Sequence, residues 1–263
     1  MKSFLRETDQ FFAEHMPSTT RSVFYVLVAI YLCMAIIGLA LPADLLGRLF
    51  VLTPAQAIGQ GHVWQFVTYM FSHGSLMHLF SNVLILFFFG GLVEQQMGSH
   101  RYLCFLLAAG ILGGMAHTAV AYALGASRVG LIGFSAAGFA IITAAVMWFP
   151  RMRVLVMFLF PVPLRVLAAV FGILLLTVIV DDVRRDGLLG GGVSHLAHIV
   201  GILVAVFLIR NPRLLDRLED LYIPFLMRRR PRMVSRRRTS MGHPGRHSDP
   251  DDLYNDPHWK LDQ

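Results

Sequence analysis

The chain has 263 residues, of which 56% are apolar and only 15% are Asp, Glu, Lys or Arg, against roughly 25% charged in an ordinary soluble domain. With a mean hydropathy of +0.60, this composition argues against a soluble enzyme, a disordered regulator and a disulfide scaffold, and for a membrane protein that crosses the bilayer several times. The net charge of +7 is concentrated late in the chain, where 12 of the 23 Lys and Arg residues lie at or beyond Arg210, so it describes a tail and not a nucleic-acid-binding domain.

Residues 1–21 are mixed and charged and read as a cytoplasmic N-terminal segment without a cleavable signal peptide. Six uncharged runs then meet or approach the ~20 residues a helix needs to cross the hydrocarbon. They are Ser22 to Leu41, about Leu76 to Val93, Tyr102 to Leu124, one that lies in Val129 to Phe149, a short run from Val166 to Val180, and one that lies in Gly187 to Ile209. Continuous apolar runs fit helices, whereas a barrel would alternate with period two. The expected fold is therefore an all-α membrane protein with a six-span unit over residues 22–210.

Between the spans, residues 42–75 form a long outside segment, apolar enough to lie on or dip into the membrane, with Trp64 and Tyr69 suited to an interface. Residues 150–165 hold Pro161 and Pro163 and are too interrupted to span, so they read as a short structure at the inner face. Residues 211–227 read as an amphipathic interfacial stretch. The basic cluster Arg228 to Arg238 and the acidic end follow, so that 211–263 is expected to be a cytoplasmic, largely disordered tail. Six spans with a cytoplasmic N-terminus return the C-terminus to the cytoplasm. Arg101, Arg151, Arg153 and Arg165 then lie inside with both tails, and Arg48, Arg128, Arg184 and Arg185 outside. Cys33 and Cys104 sit in apolar runs as packing residues.

Polar groups inside spans are costly, which makes each one a candidate for function. Span two carries His78, Ser81 and Asn82, span three His117, span four Ser135, and span six Ser194, His195 and His198. Spans two, four and six run in the same direction, and at about 1.5 Å per residue His78, Asn82, Ser135 and His198 fall at similar depth below the outer surface. Such a level suggests one buried polar pocket. A serine hydroxyl becomes a nucleophile when a neutral histidine takes its proton. The backbone N–H of Ser135 at a helix N-terminus, with His78 and Asn82, supplies donors for an oxyanion. No acid is placed to orient the histidine, so the arrangement is a Ser–His dyad. His195, one turn before His198, is either a competing base or a residue that lines the watery mouth of the site. His73 reads as a loop or interface residue, His117 as a packed or hydrogen-bonded one, and Glu94 as a cap or ion-pair partner near Arg101. Gly110-x-x-x-Gly114 is a helix-packing signal. The spans hold no carboxylate to complete a zinc site with the histidines and no Asp pair for an aspartyl protease, and no cofactor is expected. A transporter fits less well, because the polar groups lie near one surface and no inverted repeat is evident.

In order along the chain, His-Gly-Ser-Leu-Met-His-Leu-Phe-Ser-Asn (73 to 82), Gly-Gly-Leu-Val-Glu (90 to 94), Gly133-Phe134-Ser135 and Ala197-His198-Ile-Val-Gly201 resemble the motifs of the rhomboid intramembrane serine proteases, over roughly residues 42 to 210. The resemblance implies a six-span rhomboid-like bundle. It implies Ser135 as nucleophile, His198 as base, His78 and Asn82 on the oxyanion side, and Gly133 in the Gly-x-Ser. Phe139 matches the aromatic that packs on the histidine, and Gly201 the small residue that lets spans four and six approach. Two positions depart from the pattern. Ala136 stands where the family often has Gly, which adds a methyl next to the nucleophile, and Trp64-Gln65 stands for Trp-Arg. The implied activity is endoproteolysis of transmembrane substrates near the outer face of a bacterial inner membrane. The alternative is an inactive rhomboid-like protein that binds membrane clients. Partners are transmembrane substrates and the lipid bilayer, with no nucleic acid; the sequence leaves the oligomeric state open.

Overall fold

The computed structural model describes residues 16–38, 43–156, 160–170, 173, 177, 184 and 195–227. The expected segments 1–15 and 228–263, most of the fifth span and the 187–194 start of the sixth lie outside the described residues. The described fold is an all-α membrane bundle with one small hairpin, and its compact unit runs to Met227.

Among the described residues three helices are long and apolar enough to cross a membrane: α1 (Ser18–Ile37, 20 residues), α5 (Leu76–Met97, 22 residues) and α6 (Ser99–Ala123, 25 residues), the last two broken from each other by Gly98 at φ 83°. Before α5 lie three short helices, α2 (Ala43–Phe50), α3 (Pro54–Ala57) and α4 (Gln65–Thr68), and a 3-10 turn at Tyr69–Phe71. After α6 come α7 (Ser135–Trp148), α8 (His195–Arg210) and α9 (Pro212–Met227). The α8–α9 pair passes as a fourth span only if taken together, and it is bent by 96°. Large apolar side chains stay exposed on the outer faces, among them Met77, Phe80, Leu84 and Phe88 of α5 and Leu203 and Phe207 of α8. In water such a surface would associate or aggregate; in lipid it is the solvated face.

Helix α7 lies within the run 129–149 that holds the expected fourth span, and it is short. It has 14 residues and starts at Ser135, so it covers only about 21 Å at 1.5 Å per residue. Residues before it are extended: Leu131 and Leu52 exchange both backbone hydrogen bonds, at 2.9 and 3.0 Å, and the Gly133 N–H donates to the Tyr69 carbonyl at 2.9 Å. A short helix is tolerated because it is wrapped by others. Ala137, Ala140, Ile141, Ala144 and Ala145 are fully buried, and this run of small residues lets α6 and α8 pack closely on both sides.

The segment 43–75 dips into the bundle, and Tyr69 is not an interfacial residue. Its ring is buried, and its hydroxyl donates to the Gly110 carbonyl of α6 at 2.7 Å. The two glycines of the packing signal receive this segment and not another span. A Cβ on Gly110 would overlap the Met70 side chain, and one on Gly114 would lie 2.8 Å from Leu52 Cδ2 and 3.1 Å from Tyr69 Cε1. Gln65, which replaces the arginine of the Trp-Arg pattern, anchors the loop without charge. Fully buried, it accepts from the Thr53 N–H and donates to the Arg48 carbonyl and Gln56 Oε1, satisfying the polar atoms that burial would otherwise penalise. Trp64 stays half-exposed and stacks on His62 at 4.6 Å.

Glu94 does not meet Arg101. Its buried carboxylate accepts from the Thr19 and Thr20 N–H groups, the Thr20 hydroxyl and the Ser99 hydroxyl. It thereby caps the first turn of α1, whose own N-cap is Pro17 with no side-chain acceptor. Arg101 pairs instead with Asp216 and Glu219 of α9, at 2.8 and 3.0 Å. The interrupted stretch 150–165 contains an antiparallel hairpin, β1 (Arg153–Val156) on β2 (Phe160–Pro163), with Arg153 opposite Pro163.

Candidate active site

The site forms where the N-terminus of α7 meets α8 and the first turns of α5. Gly133 has φ 108°, a region open to glycine, and a Cβ there would lie 2.6 Å from His78 Nε2. Glycine thus serves twice at this position: it turns the chain into α7, and it lets the His78 ring lie against the backbone two residues before Ser135. The turn leaves Ser135 as the first residue of α7, with its N–H among those that have no intrahelical partner.

His198, in the first turn of α8, points its Nε2 at Ser135 Oγ across 2.8 Å. The Phe139 ring, one turn along α7 from Ser135, stacks on the His198 ring at 4.6 Å and 30°, which fixes the imidazole plane. His195 meets His198 edge-on at 5.8 Å, and of the two rings it is His198 that holds the Ser135 oxygen. Among the described residues His198 Nδ1 has no hydrogen-bond partner, and no carboxylate of those residues orients the ring. The close approach of α7 and α8 is set by Gly201, where a Cβ would overlap the Ala136 carbonyl oxygen and lie 3.2 Å from Ala136 Cα.

The methyl of Ala136 does not crowd the hydroxyl. It points at α6, where a Cβ on Gly113 would come within 3.0 Å of it. Gly113 therefore makes the space that the departure from the family pattern requires.

On the α5 side, Ser75 caps the helix by accepting from the His78 N–H at 3.1 Å. Asn82 is buried on the same face as His78, and its Oδ1 would be 3.5 Å from a Cβ on Gly138 of α7. Its amide donates to the His78 carbonyl at 2.8 Å, so one N–H is engaged and the other remains to donate. His73 lies in the loop before α5, is buried, and sits edge-on to His78 at 5.0 Å. Burial, reinforced by His78, pushes its pKa down to about 4, so it is neutral at physiological pH. His117 is packed in α6 with Nε2 3.2 Å from the Val129 carbonyl. The structure thus gathers Ser135, His198, His78, Asn82, Gly133, Phe139 and Gly201 into one place. Sequence reasoning missed Gly113, Tyr69 and Ser75. Of these, Ser75 alone carried a local signal, a hydroxyl three residues before the amide it caps.

A family model, the Rhomboid domain, matches residues 60–210, more than half of the chain. The chain belongs to the rhomboid family. Among similar proteins are rhomboid proteases GlpG of Salmonella choleraesuis (strain SC-B67), Salmonella typhi and Salmonella newport (strain SL254), each 29% identical over 101 residues, which is 38% of this chain. The chain spans about a third of the length of these curated relatives, 35% in each case. The matched rhomboid domain includes the whole of the geometry above, from His73 to Gly201.

Proposed function

We propose that this rhomboid is an intramembrane serine endopeptidase that cuts transmembrane proteins through a Ser135–His198 dyad. The observation that carries this reading is the 2.8 Å contact between His198 Nε2 and Ser135 Oγ at a helix N-terminus. Neutral His198 takes the hydroxyl proton as Oγ attacks the scissile carbonyl. The oxyanion that forms is met by the Ser135 N–H, the free N–H of Asn82 and the His78 ring. His198 then gives the proton to the leaving amine, which departs and leaves an acyl-serine. A water, deprotonated by His198, attacks the ester, and the carboxylate product leaves as Ser135 recovers its proton.

The remaining assignments belong to the same proposal: six spans within 22–210, a cytoplasmic segment 1–21, a cytoplasmic tail from 211, both termini inside a bacterial inner membrane, and a site just below the outer face. A substrate helix must unwind locally there, because its own turns shield its peptide bonds.

Fluorophosphonate labelling in detergent tests the chemistry. The native chain takes the label, and Ser135→Ala and His198→Ala each lose it together with cleavage of a transmembrane peptide, while both keep the native melting temperature. His195→Ala retains labelling. A folded native chain that neither labels nor cleaves would establish the inactive, client-binding alternative; loss in His195→Ala with retention in His198→Ala would reassign the base.

A further inference from the structure

The end of α8 and the first turns of α9 enclose an open depression of about 210 Å³ lined by Phe207, Asn211, Arg213, Leu214 and Arg217. It lies on the helix pair that leaves the bundle, and the dyad chemistry makes no use of it. The 96° bend between the two helices sets its position. Helix α8 is apolar as far as Arg210, so its end marks the edge of the hydrocarbon. A helix turned through about a right angle at that level runs along the headgroup layer, with Leu215 buried on the bundle side.

Charge and shape agree on what fits there. Arg213 and Arg217 are one turn apart on the same helical face and both exposed. Like charges at this spacing repel. Neither makes an ion pair among the described residues, because Asp216 and Glu219 of the same helix are both drawn onto Arg101 of α6. The depression also sits at the first turn of α9, where the helix dipole favours an anion. Its apolar wall, Phe207, continues a stripe at four-residue spacing along α8, with Ile199 39%, Leu203 60% and Phe207 56% exposed.

We propose that this depression binds the phosphate of an anionic membrane phospholipid, held by the Arg213 and Arg217 guanidiniums, with an acyl chain lying along Phe207, Leu203 and Ile199. Guanidinium forks match phosphate oxygens in geometry as well as charge. A zwitterionic lipid brings its own ammonium to the two cations and loses this advantage. Free phosphate uses the arginines but leaves the apolar stripe uncovered.

The test uses the full-length chain in neutral detergent with phosphatidylglycerol that carries a photoreactive diazirine in its acyl chain, followed by irradiation and peptide mapping. Crosslinks are expected within residues 199–217, separable by mapping from any at the basic cluster Arg228 to Arg238. The double substitution Arg213→Gln/Arg217→Gln lowers them at least about tenfold, given the usual strength of a basic residue at an anionic surface. Arg213→Lys/Arg217→Lys keeps most of them, and both variants keep the native melting temperature without lipid. Equal crosslinking by native chain and Gln variant, equal crosslinking by a phosphatidylcholine analogue, or crosslinks only outside 199–217 overturns the proposal. Loss of the crosslinks to excess inorganic phosphate, but not to chloride at matched ionic strength, overturns it in favour of a free-phosphate site.

Discussion

A methyl group added at Gly133 meets two obstacles at once. The backbone sits at φ 108°, and the new Cβ falls 2.6 Å from His78 Nε2. Gly133→Ala is expected to cost about 1–3 kcal/mol of stability through the strained backbone alone. It is also expected to lower peptide cleavage at least ~10²-fold, because it displaces His78 and the Ser135 N–H together. Melting temperature and cleavage rate measured on one preparation separate the two effects. Asn82→Ala removes a single donor and leaves the turn intact. Its expected signature is a kcat reduced on the order of 10²-fold with little change in KM, and a KM effect of equal size with kcat intact would move Asn82 from the oxyanion to substrate binding. His78, Asn82, Ser135 and His198 are legible in the sequence, because a polar group in an apolar run is costly and so carries information. Gly113 is not. Its role depends on where the Ala136 methyl points, which no spacing along α6 reveals.

At the scale of helices, the site depends on how closely α7 and α8 approach. Gly201 packs directly on the Ala136 backbone, and the same pair of helices carries Ser135 and His198. Gly201→Val is expected to push the helices apart, cost about 1–3 kcal/mol by overpacking, and stretch the Ser–His contact beyond bonding. Fluorophosphonate labelling should then fall by more than the loss of stability explains, a comparison made by labelling well below the melting temperature. Undiminished labelling in this variant would show that the contact does not rest on Gly201. The existence of α1, α5 and α6 is plain from length and apolarity. The extended stretch ahead of α7 is not, since an apolar run looks the same whether extended or helical, and here the pairing of Leu131 with Leu52 and of Gly133 with Tyr69 decides for extended. The burial of Tyr69 is equally hidden in the sequence, resting on a hydrogen bond to a carbonyl 41 residues away.

The whole chain divides into a compact unit that reaches Met227 and the residues beyond it. Every side chain assigned to the chemistry lies between His73 and Gly201. Deleting residues 239–263, which supply none of these side chains, is therefore expected to leave kcat and KM for a transmembrane peptide within about twofold in purified protein. A large loss of kcat on deletion would tie the tail to the bundle. The sequence displays this division through its charge distribution, but it does not show that α9 packs on α6 through Arg101, because each end of that ion pair looks like ordinary surface charge on its own helix.

The carboxylate that closes the start of α1 belongs to a residue 74 positions further along the chain. A ribosome makes the Thr19–Thr20 turn before it makes Glu94, and Ser99, which completes the ring of donors around that carboxylate, comes later still. Throughout that interval the Thr19 and Thr20 amides lack the carboxylate that accepts from them in the folded protein. The start of α1 is therefore completed only once the helix that carries His78, Asn82 and Glu94 has been made.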